Sequence, residues 1–308
     1  MCVLRLHNGP INCVCVTAGY VATGSDDRFL RLWPLDFNDF LMEAEHESAV
    51  TSLSVSDDAL RLLVGTESRT MGVLDVCTHS YTTTMRSHFG SITAIARDVS
   101  GTRDEFATVS DDGTVRVWNL STGNQKYEFV SPTGKIRAHS RRHFTHSERA
   151  PGAGDGPRCL CYHPSERRHL LACGFESGTV RIFNVPTTQT IHEQQQHRGA
   201  VLQVTYSPNG ERLYSAAVDG HICVYDTQQK YQPIKMVASE VPVKSIALVL
   251  NEDGSLLAAL GPKPACVVVF DAVTMNPLKK LRREKRKSGS NEDEVRWGVR
   301  RPINFPGR

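Results

Sequence analysis

Six short endings recur along this chain at nearly even spacing, and that period limits the fold more than any other feature. They are Trp33-Pro34, Leu74-Asp75, Trp118-Asn119, Phe183-Asn184, Tyr225-Asp226 and Phe270-Asp271, separated by 41, 44, 65, 42 and 45 residues. A repeat of about 40–45 residues is the length of one four-stranded propeller blade. The clearest unit runs from Ser110 to Asn119. There Asp112-Gly113 sits between two strand-like stretches, a strong hairpin signal because the tight turn needs positive φ and glycine takes it cheaply. Histidines precede four of the endings: His7, His46, His88 and His197 stand 26, 28, 30 and 28 residues before Trp33, Leu74, Trp118 and Tyr225. The fourth and sixth units have no clear counterpart.

These signals predict an all-β propeller of six four-stranded blades. Blade one is expected to use strands near 11–16, 20–24, 29–33 and 38–43, with 1–6 as an additional edge strand. The long third interval carries an insertion. Residues 131–157 contain three Pro, four Gly, five Lys or Arg and three His, with no period that could bury a face, so a disordered surface loop is expected there. Blade six is degenerate, with Gly261-Pro262-Lys263-Pro264 in place of its turn. The propeller is assigned to 1–277. The basic remainder, 278–308, is expected to be a disordered tail apart from a possible last strand near 278–281. A strand from one end of a propeller can complete the blade begun by the other, so the strand count leaves open whether six blades close a ring.

At these residues the chain resembles the WD40 repeat family. His7 with Ser25, Asp27 and Trp33, and His88 with Ser110, Asp112 and Trp118, match the set that in the family forms a buried hydrogen-bonded tetrad. Blade five keeps His197 and Asp219 but has Ala217 and Tyr225 in place of the serine and tryptophan, which implies a partial tetrad. Blades two and four put Ser68 and Ser177 where the turn aspartate is expected. The runs Gly9–Cys15, Tyr20–Phe37 and Leu41–Glu47 are similar to a group of centriolar and ciliary members of that family. Those members are much longer, so an internal fragment or partial product is expected. The resemblance implies a non-catalytic scaffold in centriole organisation and cilium assembly, located at the centriole, centrosome or basal body in the cytoplasm, with tubulin or centriolar scaffold proteins as partners. The competing reading is a substrate-recruiting adaptor of a ubiquitin ligase, or a nuclear module.

The residues themselves bound the function further. With 40% hydrophobic and 22% charged residues among 308, the composition suits a globular chain with a core. No apolar run is long enough to span a membrane, and the first residues are too short and polar for a signal peptide. Nine cysteines without paired spacing read as reduced thiols. The net charge is +3, concentrated in 131–149 and 279–287, so the propeller body gives no basis for nucleic-acid binding. No phosphate-cradling loop, HExxH or GxSxG motif occurs. An enzyme, a cofactor and a small-molecule substrate are therefore not expected.

Three constellations carry a sharper reading beside a bland one. The His/Asp pairs could do acid–base chemistry, but a catalytic set need occur only once, and one that recurs in step with the repeat, at His7/Asp27, His88/Asp112 and His197/Asp219, reads as structure. Cys13/Cys15 and Cys159/Cys161 could be half of a metal site, but residues two apart on a strand share a face and the second C-x₂₋₄-C pair is missing. Asp26, Glu67, Asp111 and Glu176, just ahead of the turn position, form a candidate acidic rim for basic partners; turns also favour such residues for backbone reasons alone. The run Lys279–Lys287 could be an import signal or a polyanion contact, or a solvated tail.

Overall fold

The computed structural model describes residues 7–37, 39–56, 58–86, 88–100, 103–130, 155–238, 248–250, 253–261, 266–283 and 297–299. Among them there is no helix. The chain forms six antiparallel sheets in sequence order, each wound from an inner to an outer strand. Blade one is β1 (Ile11–Val16), β2 (Tyr20–Ser25), β3 (Phe29–Pro34) and β4 (Met42–Glu45). Blade two is β5 (Val50–Val55), β6 (Arg61–Thr66), β7 (Thr70–Asp75) and β8 (Ser80–Arg86). Blade three is β9 (Ile92–Arg97), β10 (Glu105–Ser110), β11 (Thr114–Asn119) and β12 (Gln125–Val130). Blade four is β13 (Pro157–Tyr162), β14 (Leu170–Phe175), β15 (Thr179–Asn184) and β16 (Gln189–Gln195). Blade five is β17 (Val201–Tyr206), β18 (Arg212–Ala217), β19 (His221–Asp226) and β20 (Gln232–Ala238). Blade six is β21 (Leu248–Leu250), β22 (Leu256–Gly261), β23 (Cys266–Asp271) and β24 (Pro277–Arg283), to whose edge β25 (Trp297–Val299) is added.

The period read from the sequence is thus the blade, and the architecture is a WD40-type propeller. Two boundaries shift. The stretch beyond 277 is not wholly a tail, because β24 completes blade six and Leu281–Arg283 pair with β25; a sheet edge offers unpaired backbone groups that a further strand satisfies. Residues 155–157, assigned above to the insertion, belong to blade four. The expected strand 1–6, the insertion at 131–154 and the tail at 284–296 and 300–308 lie outside the described residues.

Apolar burial holds the blades face to face. Each of the five hydrophobic clusters joins two consecutive sheets: one and two, two and three, three and four, four and five, five and six. The second strand of a blade is enclosed on both faces, as in β2 and β10, where every residue is buried. That is why these strands read as continuous apolar or small-residue runs and not as alternation. Close approach demands small residues at one point. A Cβ added to Gly24 would stand 2.4 Å from Val50 Cγ1 and 2.7 Å from Cys13 Sγ, and one on Gly174 would meet Val201 and Cys159 the same way. In both places the first residue of the next blade's inner strand fills the space.

The inner strands share one irregularity. Each of β1, β5, β9, β13 and β17 bulges at its second residue against its neighbour. A bulge redirects a side chain, and two of the freed side chains reach the next blade: Asn12 Nδ2 donates to Val50 O at 3.0 Å and the Thr51 hydroxyl to Ile92 O at 2.5 Å.

Candidate interaction face

In blades one, three and five the turn between the second and third strands is held from beneath by the same polar network. In blade one the His7 ring bridges Asp27, 3.0 Å from Nδ1, and the Thr23 hydroxyl, 2.6 Å from Nε2. The Trp33 indole donates to the same hydroxyl at 2.8 Å. Blade three repeats this: His88 spans Asp112 at 3.0 Å and Thr108 at 2.7 Å, and Trp118 donates to Thr108 at 2.9 Å. The aspartate also takes the backbone N–H of the residue after the histidine, Asn8 or Phe89. These networks fasten the loop entering a blade to the turn inside it.

The hydroxyl at the centre is Thr23 and Thr108, not Ser25 and Ser110. Ser25 and Ser110 are buried two residues further on, and each accepts the backbone N–H of the turn aspartate at 3.2 Å. Both positions lie on the same strand face, since side chains two apart point the same way; only distance separates them. The same correction applies to blade five. Its centre is Ser215, 2.7 Å from His197 Nε2 and 3.2 Å from the Tyr225 hydroxyl, while Asp219 lies 3.3 Å from His197 Nδ1. Ala217 occupies the Ser25 position, so the network is not partial at its centre.

Blades two and four use substitutes. In blade two Val64 and Leu74 stand where Thr23 and Trp33 do in blade one, and Tyr81 fills in with its hydroxyl 2.9 Å from His46 Nδ1. His46 Nε2 is buried with no hydrogen-bond partner, and burial pushes this ring down to about 4. In blade four Asp155, two residues ahead of the inner strand and level with Ser48 of blade two, accepts the Ser177 N–H at 2.9 Å and hydroxyl at 2.8 Å, with Arg181 at 3.2 Å.

The carboxylates stay ionised. Burial works against Asp112, yet hydrogen bonds from His88, Thr114 and the Phe89 N–H hold its carboxyl well below the usual range. Asp27 and Asp219 are lowered against the same penalty, by backbone N–H groups first and their histidines after. Burial in turn lowers His197 despite Asp219.

A second repeated pair escaped the sequence reading. Arg31–Glu43, Arg116–Glu128 and Arg181–Glu193 face each other across the third and fourth strands, at 2.5, 3.1 and 2.9 Å. The signal was available as an arginine four residues past the turn position and a glutamate twelve residues later.

Above these networks lie the rim residues. Asp26, Glu67, Asp111, Glu176 and Val218 are equivalent: each backbone N–H donates to a carbonyl of the loop entering its blade. Asp26, Glu67 and Asp111 are exposed, and Asp26 accepts from Asn12 at 2.7 Å. Glu176 departs from the set, its side chain largely covered and ion-paired with Arg158 at 2.5 Å. The exposed acidic rim therefore runs over blades one to three. Below it, Arg97 is the charged residue bordering two open recesses of about 280 and 430 Å³. Cys159 packs in the core with Cys161 half-buried at its edge, and burial pushes the Cys159 thiol up to about 12 and the Cys15 thiol to about 11. Among the described residues no three His, Cys, Asp or Glu group as metal ligands.

A family model described as WD domain, G-beta repeat matches residues 1–34, 79–119 and 188–226, the segments that carry the three networks with histidine, hydroxyl and aspartate together. The chain is 37% identical over 273 residues, 87% of its length, to WD repeat-containing protein 90 of Xenopus tropicalis. It is 36% identical over 273 residues to the Homo sapiens protein of that name. It is 41% identical over 283 residues, 91% of its length, to Centriole proteome protein 16 of Chlamydomonas reinhardtii. The matched stretch makes up 13%, 14% and 12% of those three proteins, so the chain spans about an eighth of the relatives it matches.

Proposed function

This chain belongs to the WD40 repeat family, and we propose that it is a protein-binding scaffold of the centriole, whose receiving surface is the rim that carries Asp26, Glu67 and Asp111. The observation that carries the centriolar part is the 41% identity to an algal protein named for the centriole proteome, over nearly the whole chain. WD40 proteins are typically non-catalytic scaffolds, and propeller geometry alone suits many roles. The rim adds the chemistry of the partner. Three exposed acidic side chains on neighbouring turns, each fixed by a backbone hydrogen bond and by a polar network beneath in blades one and three, attract a basic segment by long-range steering. Tubulin or a centriolar scaffold protein presenting lysines and arginines fits that description. An adaptor that reads phosphorylated peptides needs grouped cations; in the described turns of blades one and two each arginine, Arg28 and Arg69, stands singly beside the acidic residue of its own turn.

The test is the location of a tagged protein expressed from its own locus, imaged against centriole, basal-body and nuclear markers. Signal at centrioles or basal bodies is expected. A diffuse or nuclear signal would remove the centriolar assignment and leave the adaptor reading in its place.

A further inference from the structure

The residue that follows the network histidine serves the fold through its backbone alone. Asn8, Phe89 and Arg198 hold this place in blades one, three and five, and each gives its N–H to the turn aspartate at 2.9 Å. Asparagine, phenylalanine and arginine make that bond equally well, so the network does not select the side chain. Asn8 and Arg198 are polar, as an exposed position favours. Phe89 carries an apolar ring and is 66% exposed.

Phe89 stands between two of the acidic turns. Two residues beyond it the Ser91 hydroxyl donates to Glu67 O at 3.2 Å, and Ser91 O accepts the Asp111 N–H at 3.1 Å. One loop is thereby fastened to the turn of blade two and to that of blade three. Gly90 lies so close to the second turn that a Cβ there would stand 2.6 Å from Asp112 N. Arg116 places its guanidinium carbon 5.7 Å from the centre of the Phe89 ring and pairs with Glu128 at 3.1 Å. The ring thus meets one guanidinium already, with a carboxylate as its counterion, and most of its remaining surface is in solvent. Among the described charged side chains here, the carboxylates Glu67, Asp111, Asp112 and Glu128 outnumber the arginines Arg69 and Arg116, so the local field draws in a further cation.

The two common cations differ in how they meet such a ring. A guanidinium is flat and weakly hydrated, stacks on an aromatic face and still offers its edge N–H groups to carboxylates. An ammonium is a compact charge that holds its water more strongly. We infer that Phe89 makes the rim select arginine over lysine, the partner being a basic segment that seats an arginine on this ring between the turns of Glu67 and Asp111. The inference rests on the rim as the receiving surface and adds what separates one basic partner from another. The carboxylates attract either cation, and the ring tells them apart. Steering by charge acts on association, whereas stacking acts on the bound state, so the preference lies mostly in dissociation.

The test sets the full chain against two glycine–serine peptides of equal length and charge, one carrying arginines and the other lysines, with binding read by fluorescence anisotropy. The unsubstituted chain is expected to bind the arginine peptide about threefold or more tighter, the size of a cation–π contact at an exposed site. Phe89→Leu keeps an apolar side chain and the backbone N–H, and should close that gap. Phe40→Leu, at another exposed phenylalanine that an arginine approaches, should leave it open. Equal affinity of the unsubstituted chain for the two peptides, or a gap that survives Phe89→Leu, would overturn the inference and leave the acidic rim standing. Absence of binding to both peptides, or binding that Glu67→Lys with Asp111→Lys does not weaken, would remove the rim and the inference together. Phe89→Asn, which installs the residue blade one carries at this place, gives the same reading should leucine disturb the loop.

Discussion

The Thr108 hydroxyl lies 2.9 Å from the Trp118 indole nitrogen while also standing 2.7 Å from His88 Nε2. One oxygen therefore satisfies two buried rings, and losing it strands both. Replacing Thr108 with valine keeps the shape and removes the hydroxyl, leaving two polar groups unpaired at about 1–3 kcal/mol each. Replacing Ser110 with alanine removes one acceptor for a backbone N–H, at about 1 kcal/mol. Urea denaturation should place Thr108→Val at least about 1 kcal/mol below Ser110→Ala. The reverse order would mean that Ser110 is the centre of the network after all.

Blade two shows the same rule by its absence. His46 Nε2 is buried without a partner because Val64 stands where Thr23 supplies a hydroxyl in blade one. Val64→Thr is nearly isosteric and puts an oxygen at that position, so it should stabilise the chain by about 0.5–1.5 kcal/mol, the net worth of a buried hydrogen bond. The same change at Val73, which has no such ring to meet, should not. A urea midpoint unchanged or lowered by Val64→Thr would refute the equivalence of the two sites.

The blade period, the all-β class and most strand positions were legible because each repeat must bury two faces and so imposes the same pattern every 40 or so residues. The network's centre was not. Thr23 and Ser25 share a strand face, and a pattern of residue types cannot say which oxygen a ring will reach. In blade four Asp155, which takes the N–H and hydroxyl of Ser177, lies at the end of a stretch of Gly, Pro and Arg that reads as insertion. The Arg–Glu pairs were legible only by comparing spacing across blades, as Arg31 with Glu43 and Arg116 with Glu128. The exposure of Ile11 and Val14 was invisible, since their residue types are those of a covered strand.

Acid should loosen the fold before any carboxylate titrates. His46 and His163 are both pushed down to about 4, chiefly by burial, from an ordinary value of 6.5. The unfolded chain therefore takes up protons at these rings first. Their contribution is present above about pH 6.5 and is lost as pH falls toward 4, by at most about 1.4 kcal/mol per unit for each ring. Stability measured in urea should decline across that window, and His46→Gln with His163→Gln should flatten the decline whatever it does to stability at pH 7. An unchanged slope would mean that neither ring is held neutral.

Charge reversal tests the rim without touching the core. Asp26, Glu67 and Asp111 are exposed, so Glu67→Lys and Asp111→Lys together should leave thermal unfolding within about 2 °C. Binding of a lysine-rich peptide should fall at least about tenfold, mostly through the association rate and most clearly at low salt. Equal binding by both proteins would place the receiving surface elsewhere.

Blades three and four are joined by Glu105, which is buried and accepts from Lys126 at 2.7 Å on its own blade and from His169 at 2.8 Å on the next. Burial raises its carboxyl, but the bonds from His169 and Lys126 outweigh that and hold it low. A buried carboxylate tied to two donors is costly to break from one side. Glu105→Gln and His169→Gln should each destabilise by about 1–3 kcal/mol, and the double variant by less than their sum, with a coupling of about 1 kcal/mol or more. That shortfall is the measurement that matters, because a chain of about 25 residues, 131–154, separates these two blades in sequence and the contact must be made through space. Strict additivity in a double-mutant cycle would show that the two side chains act separately and that apolar packing around Phe129 and Phe183, whose rings lie 4.7 Å apart, holds the two blades together unaided.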